Sequence, residues 1–214
     1  MPWKTSIGLL VLAFLLQAPA TDALAGAPSD QLRVSVDQAL KVLGDGAAKR
    51  DQPRERRATL RKIADDIFDW DETAKRSLGT HWQQRTPAER EEFVRLFAEL
   101  LEKSYMSKIE LYDGERISWQ GDTIDGDQAI VRTKILNKQG TEIPVSYKMF
   151  RRDDRWKVYD VEIESVSLVA NYRTQFNNML RRSSYPELVR TLKAKANDAD
   201  VDAAMASPAS TRAR

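Results

Sequence analysis

The chain has 214 residues, with 34 Lys and Arg against 32 Asp and Glu, a single His and no Cys. That composition excludes disulfides, thiolate nucleophiles, cysteine-ligated clusters and a lipid-modified N-terminal cysteine, and it leaves any zinc site one imidazole with only carboxylates or water to complete it. A net charge of +2 with 42% hydrophobic and 31% charged residues predicts a water-soluble globular chain that lacks the basic surplus of a nucleic-acid binder.

The first residues read as an export signal. Trp3 and Lys4 precede an apolar run from Ile7 to Leu16, and the small-residue triplet Ala23-Leu24-Ala25 follows. This is the order of a secretory signal peptide cleaved after Ala25. The run is well short of the roughly 20 residues that a bilayer span needs. The predicted organisation is a signal peptide over 1–25, one domain over 26–197 and a disordered tail over 198–214, where Ala, Asp, Ser, Thr and Pro dominate.

Helical spacing runs from Asp30 to about Lys49 through Leu32, Val36, Ala39, Leu40 and Leu43, with Gly44-Asp45-Gly46 loosening the last turn. Pro53 suits the first turn of a second helix, whose apolar face carries Leu60, Ile63, Ala64 and Ile67. Its other side bears Arg54, Arg57 and Arg61, which read as a solvated face, with lipid phosphates or an acidic partner as the sharper alternative. The acidic group Asp65, Asp66, Asp69, Asp71 and Glu72 spans a helix end and the next helix start, and reads as capping rather than as paired catalytic carboxylates. Thr86-Pro87-Ala88-Glu89 places a hydroxyl at an N-cap, proline at N1 and glutamate at N3, a capping box. The helix it opens carries Phe93, Leu96, Phe97, Leu100, Leu101 and Tyr105 on one stripe, long enough to cross a small sheet.

After Gly114 the period changes to that of strands. Ile117 and Trp119, then Ala129, Val131, Thr133 and Ile135, then Ile143, Val145, Tyr147 and Met149, then Trp156 and Val158 alternate with polar neighbours. Asp125-Gly126, Asn137 to Gly140 and Arg152-Asp153-Asp154 supply hairpin turns. Four antiparallel strands with one apolar face are predicted. In the last of them Trp156 and Val158 share one parity and Val161 and Ile163 the other, so a bulge near Tyr159-Asp160 is needed to bring all four to one face. Val169, Tyr172, Phe176 and Leu180 then return to helical spacing, and Ser184-Tyr185-Pro186-Glu187 restarts a last helix carrying Leu188, Val189 and Leu192.

Catalytic and ligand motifs are missing. No G-x-S-x-G, G-x-G-x-x-G or phosphate loop is present, and Asp122, Asp125 and Asp127 around Gly126 lack the order of a calcium loop. His81 has no evident partner for base catalysis. Asp160 is the one acid inside an otherwise apolar strand, which admits an isomerase reading if it faces Tyr147 across a cavity; capping of the bulge or an ion pair is the plainer role. Phe93, Phe97, Tyr105, Trp119, Tyr147, Met149, Trp156, Tyr172 and Phe176 supply bulk that either fills a core or lines a cavity, and periodicity does not separate the two.

Trp156-Lys157-Val158-Tyr159-Asp160-Val161 and the run from Val166 to Phe176, V-S-L-V-A-N-Y-R-T-Q-F, carry a resemblance. So do Leu78-Gly79 with Trp82, Thr86 to Tyr105, and Ile143-Pro144-Val145-Ser146-Tyr147. Over roughly Asp30 to Lys195 the chain resembles the MlaC, or toluene-tolerance auxiliary, family, the phospholipid-binding component of the Mla lipid-transport system. Glu164-Ser165 departs from it, because family members often place a glycine there. The resemblance implies an α+β, cystatin- or NTF2-like fold with an acyl-chain pocket between a curved sheet and several helices. It implies no enzyme, cofactor or metal, but a soluble periplasmic carrier. Its partners would be an outer-membrane lipoprotein complex and an inner-membrane ABC transporter complex with its periplasmic substrate-binding ring. A hopanoid-associated branch of the family is the alternative. The implied lipid-binding residues are Phe93, Phe97, Tyr105, Val145, Tyr147, Met149, Val158, Val161, Val169, Tyr172 and Phe176. Tyr147 and Tyr172 add hydroxyls for an ester or phosphate oxygen, and Arg173 a phosphate contact or an ion pair.

Overall fold

A computed structural model describes residues 27–44 and 53–197. The predicted signal peptide over 1–25, the tail over 198–214, and the end of the first helix beyond Gly44 lie outside the described residues. Within them the order is α1 (Pro28–Gly44), α2 (Pro53–Ile67), α3 (Trp70–Leu78), a 3-10 turn (Gly79–Gln84), α4 (Pro87–Glu110), β1 (Arg116–Asp125), β2 (Gln128–Leu136), β3 (Glu142–Arg152), β4 (Arg155–Ile163), β5 (Val166–Ser167), α5 (Leu168–Leu180) and α6 (Tyr185–Asn197). This is the expected α+β fold, with one correction. The antiparallel sheet has five strands in the order β1-β2-β3-β4-β5 rather than four, because two residues, Val166 and Ser167, pair with Ile163 and Glu162 before α5 begins.

The capping box forms as read. Thr86 accepts from the Glu89 amide and Glu89 reaches back to the Thr86 amide, opening a helix of 24 residues. Asp69 separates α2 from α3 by a stronger device than the sequence suggests. Its Oδ1 accepts from the Glu72 amide, capping α3, and its Oδ2 pairs with Arg152 at 2.7 Å. The neighbouring backbone is drawn onto the sheet: the Asp69 amide donates to the Val158 carbonyl at 2.9 Å, and Phe68 bridges Val158 in the parallel sense. This linker covers the stretch of β4 that the short β5 leaves unpaired.

The predicted bulge is present. Lys148 pairs with Asp160 and Met149 with Val158, which leaves Tyr159 as the extra residue of β4. Trp156, Val158, Val161 and Ile163 thereby face the same side as Arg151, Met149, Tyr147 and Val145. A second bulge, at Gln120 in β1, keeps Trp119 opposite Thr133 and Asp122 opposite Val131. The inner face of the sheet is thus apolar, and its outer face carries Lys134, Ser146, Lys148, Lys157 and Glu162.

Two apolar bodies result. One is helical, built by Ala74 and Leu78 of α3, Phe93, Leu96, Phe97 and Leu100 of α4, Tyr172 and Phe176 of α5, and Leu188 and Leu192 of α6. The other joins Leu32 of α1 to Ala129, Val131, Met149, Trp156 and Val158 on the inner face, with Val36 and Ile67 packed against it. At Gly79, with φ at +60°, an added Cβ would lie 3.3 Å from the Arg173 side chain, so the turn after α3 is built tight against α5.

Glu164 and Ser165 form the turn from β4 to β5 with φ at +48° and +68°. Non-glycine residues pay for left-handed backbone, so Ser165→Gly is expected to stabilise the protein by about 0.4–1 kcal/mol in urea denaturation. A destabilised variant would show that the Ser165 side chain makes a contribution larger than its backbone strain.

Candidate functional site

The inner face of the sheet has two ends with different covers. At the end marked by Ala129, Met149 and Val158, α1 and the last turn of α2 lie directly on the strands. The other end begins with Val145 and Thr133, both buried, and continues to the half-buried Ile135 and Ile143. Chain connectivity brings α4 to this second end, because α4 stops at Glu110 and β1 starts at Arg116 opposite Leu136. α2 is held beside α4 there by Arg56 and Arg57 on Glu110 and by Arg61 on Glu102, at 2.7 to 3.3 Å. The first turn of α5, with Leu168 and Val169, closes the β4 side.

Apolar side chains that are only half buried pack against each of the two bodies. Tyr105 and Leu168 lie on the helical side; Tyr147, Val161 and Ile67 lie on the sheet side. Tyr147 and Val161 are cross-strand partners. Burial raises the Tyr147 phenol pKa, with the Thr133 hydroxyl opposing it. Tyr105 is pushed up to about 12 by burial, with Tyr172 adding to the shift. Both phenols therefore stay neutral and keep their O–H groups in largely apolar surroundings.

The residues named from the sequence fall into three positions. Val145, Tyr147, Met149, Val158 and Val161 share the inner face and form its floor. Tyr105, Val169 and Tyr172 belong to the helical wall. Phe93, Phe97 and Phe176 stand in a close-packed aromatic group with Tyr172, ring centroids 5.0 to 5.8 Å apart, and each is almost fully enclosed. Sequence reasoning passed over Val131, Thr133, Leu168 and Ile67 as site residues. The same period-2 and period-3.6 signals mark them, and only the cover identifies their place.

Asp160 is spoken for. Its Oδ1 accepts from the Val169 amide at 3.0 Å, and its Oδ2 accepts from the Ser167 hydroxyl at 2.6 Å and from Lys148 at 3.2 Å. It thus fixes the first turn of α5 to the sheet, a favourable place for a carboxylate. Asp160 and Tyr147 sit on opposite faces of the sheet, which removes the isomerase geometry. His81 bonds Asn177 at 3.1 Å and lies with Gln84, Arg85, Leu180, Ser183 and Tyr185 on a small polar cleft at the far end of α5.

The basic stripe is exposed as expected at Arg54, Arg57 and Arg61, and the structure adds that Arg57 and Arg61 also pair with α4 carboxylates. The Glu110 carboxyl is held below its ordinary 4.5, first by its hydrogen bond from Arg57 and then by Arg56, against an opposing effect of burial. A carboxyl whose pKa is lower in the folded protein stabilises the fold above its unfolded value and loses that contribution as pH falls through the depressed value. Glu110→Gln is therefore expected to flatten the acid side of the stability curve, read by urea denaturation at a series of pH values below neutral. An unchanged acid limb would show that the clamp contributes nothing measurable.

Among the described residues no helix is long and apolar enough to cross a membrane. A family model described as the MlaC protein matches residues 33–194. The chain is 22% identical over 201 residues to the intermembrane phospholipid transport system binding protein MlaC of Haemophilus influenzae, covering 91% of this chain and 93% of that one. Its fold is similar to the solved structure of a phospholipid-binding protein from Ralstonia solanacearum in complex with a phospholipid. The TM-score is 0.72 at 21% identity, covering 79% of this chain and 97% of that chain.

Proposed function

As the chain belongs to the MlaC family, a family of phospholipid-binding transport proteins, we infer that it is a periplasmic carrier that holds a glycerophospholipid by its acyl chains. The observation that supports this reading is the apolar inner sheet face, with half-buried Tyr147 and Val161 along it and half-buried Tyr105 and Leu168 on the helical body. Val145, Tyr147, Met149, Val158 and Val161 are the floor against which chains lie, and Tyr105, Val169 and Tyr172 are the wall. Phe93, Phe97 and Phe176 back that wall and keep its shape. Each CH₂ removed from water is worth about 0.8 kcal/mol, and a bilayer offers nearly the same. A carrier needs no catalytic group. It needs walls as apolar as a membrane and a way to exclude water in transit.

In this reading the protein exchanges lipid with an outer-membrane lipoprotein complex and an inner-membrane ABC transporter complex with its periplasmic substrate-binding ring, and so maintains outer-membrane lipid asymmetry. Cleavage after Ala25 would release it into the periplasm. Native mass spectrometry of the protein purified from a periplasmic extract, followed by lipid extraction, tests the reading. A stoichiometric phospholipid is expected. A co-purified triterpenoid would move the protein to the hopanoid-associated branch, and a protein that stayed empty after incubation with liposomes would overturn the carrier reading.

A further inference from the structure

The floor assigned to the acyl chains is already covered. Val131, Met149 and Val158 on the inner face are fully enclosed, so no chain lies on them until something moves. Their cover is thin. Among the described residues, Leu32 of α1 is the one helical side chain fully buried with them, and Val36 of α1, Ile67 of α2 and the linker residue Phe68 add only half-buried contact. The helical wall is built differently. Phe93, Phe97, Tyr172 and Phe176 are close-packed there, and opening that group would part several rings at once.

α1 is held lightly. Among the described residues its polar ties to the sheet lie in its first two turns. The Ser29 amide donates to Asp122 Oδ2 at 3.0 Å, Gln31 Oε1 accepts from the Trp156 amide at 2.9 Å, and the Arg33 guanidinium stands over the Trp119 ring at 4.9 Å. Both hydrogen bonds are only partly buried, so water replaces them at small net cost when they open. Val34 is 60% exposed, and Leu40 and Leu43 further along are half buried. Leu32 is therefore the chief apolar anchor of α1 on the sheet.

We propose that Leu32 is a plug that competes with an acyl chain for one place on the inner face. It seals the end at Ala129, Met149 and Val158 when no lipid is held, and α1 lifts when a chain takes that place. The proposal rests on the carrier reading and adds the moving part to it. A leucine side chain and a stretch of acyl chain are chemically alike, and a chain of many CH₂ groups offers the floor more apolar contact than one leucine. Exchanging one for the other keeps the floor out of water. Lipid shifts α1 by the difference between the two contacts. Weakening the plug therefore raises the apparent affinity for lipid, because a larger fraction of the protein has its floor bare.

The test compares amide hydrogen exchange in the delipidated protein and in protein loaded from vesicles of phosphatidylethanolamine and phosphatidylglycerol, with native mass spectrometry to count the bound lipid. A helix of 17 residues released from its docking surface is marginal in water. The α1 amides are therefore expected to exchange about tenfold faster in the loaded protein, while those of α4 do not. Leu32→Ala is expected to reach half loading at about tenfold lower vesicle concentration than the wild type. Bound lipid with α1 exchange unchanged or slowed overturns the plug. So does faster exchange in α1 and α4 alike, or a folded Leu32→Ala that loads no better than the wild type. If Leu32→Ala does not fold, the exchange measurement on the wild type decides alone. Failure of the wild type to bind lipid overturns the carrier reading itself.

Discussion

Val161→Glu is expected to yield a folded protein that carries no stoichiometric lipid. Val161 lies on the inner face opposite Tyr147 and is only half buried, so a glutamate there still reaches water in the empty protein. Once acyl chains fill the cleft, that carboxylate is shut against hydrocarbon, at a cost of several kcal/mol unless it takes up a proton. Because the bilayer competes with the protein on nearly equal terms, a penalty of about 2.7 kcal/mol already lowers occupancy about a hundredfold. Native mass spectra of Val161→Glu beside Val161→Leu measure it, with circular dichroism to confirm the fold. Full lipid occupancy in the glutamate variant would place the chains elsewhere. Val169 is a poorer probe. It is buried, and its amide bonds the Asp160 carboxylate, so a second carboxylate there would disturb folding and binding together.

Phe97→Ala is expected to cost about 3–5 kcal/mol. Phe97 is 1% exposed and touches three aromatic rings, those of Phe93, Phe176 and Tyr172, at centroid distances of 5.8, 5.3 and 5.0 Å. The Phe93 pair is stacked and the other two are edge-to-face, and such aromatic pairs add to simple burial. Its removal opens a cavity where α4 and α5 meet, and no neighbouring side chain is free to fill it without leaving another ring. For a domain of this size the loss corresponds to a fall in melting temperature of roughly 6 to 20 °C. A loss below about 1 kcal/mol, far under the usual range, would show that the group is loosely packed. Tyr172 leans on Phe97, so lipid affinity is expected to fall in the same variant even at temperatures where it is folded.

Much of the fold was legible because local signals agreed with the global arrangement. The Thr86 capping box announced α4, and the parity slip between Val158 and Val161 announced the bulge at Tyr159. β5 escaped notice because two residues cannot show a period. The α2–α3 break at Asp69 was half visible: the acidic cluster marked a cap, but the Arg152 that pairs with Asp69 is far along the chain. For the same reason the partners of the exposed Arg57 and Arg61 were not visible, since Glu110 and Glu102 face them only after α2 docks on α4. The site was legible as a set of faces. Alternation shows that Val145, Tyr147 and Met149 look the same way, and helical spacing shows the same for Phe93 and Phe97. Neither shows what stands opposite, which is why a close-packed ring cluster and a half-buried apolar face were indistinguishable in the sequence.

The Phe68–Asp69 linker on β4 has a consequence for how this molecule meets others of its kind. A sheet that stops at an open strand invites a second copy to add its own strand. On one side that invitation is withdrawn, because Val158 and Tyr159 already give their carbonyls to Asp69 and Thr73. On the other, the Gln120 bulge in β1 and the backbone at Gly121, with φ at +92°, break the straight ladder that a newcomer would extend. Both edges of the sheet are therefore poor templates for a strand from another copy.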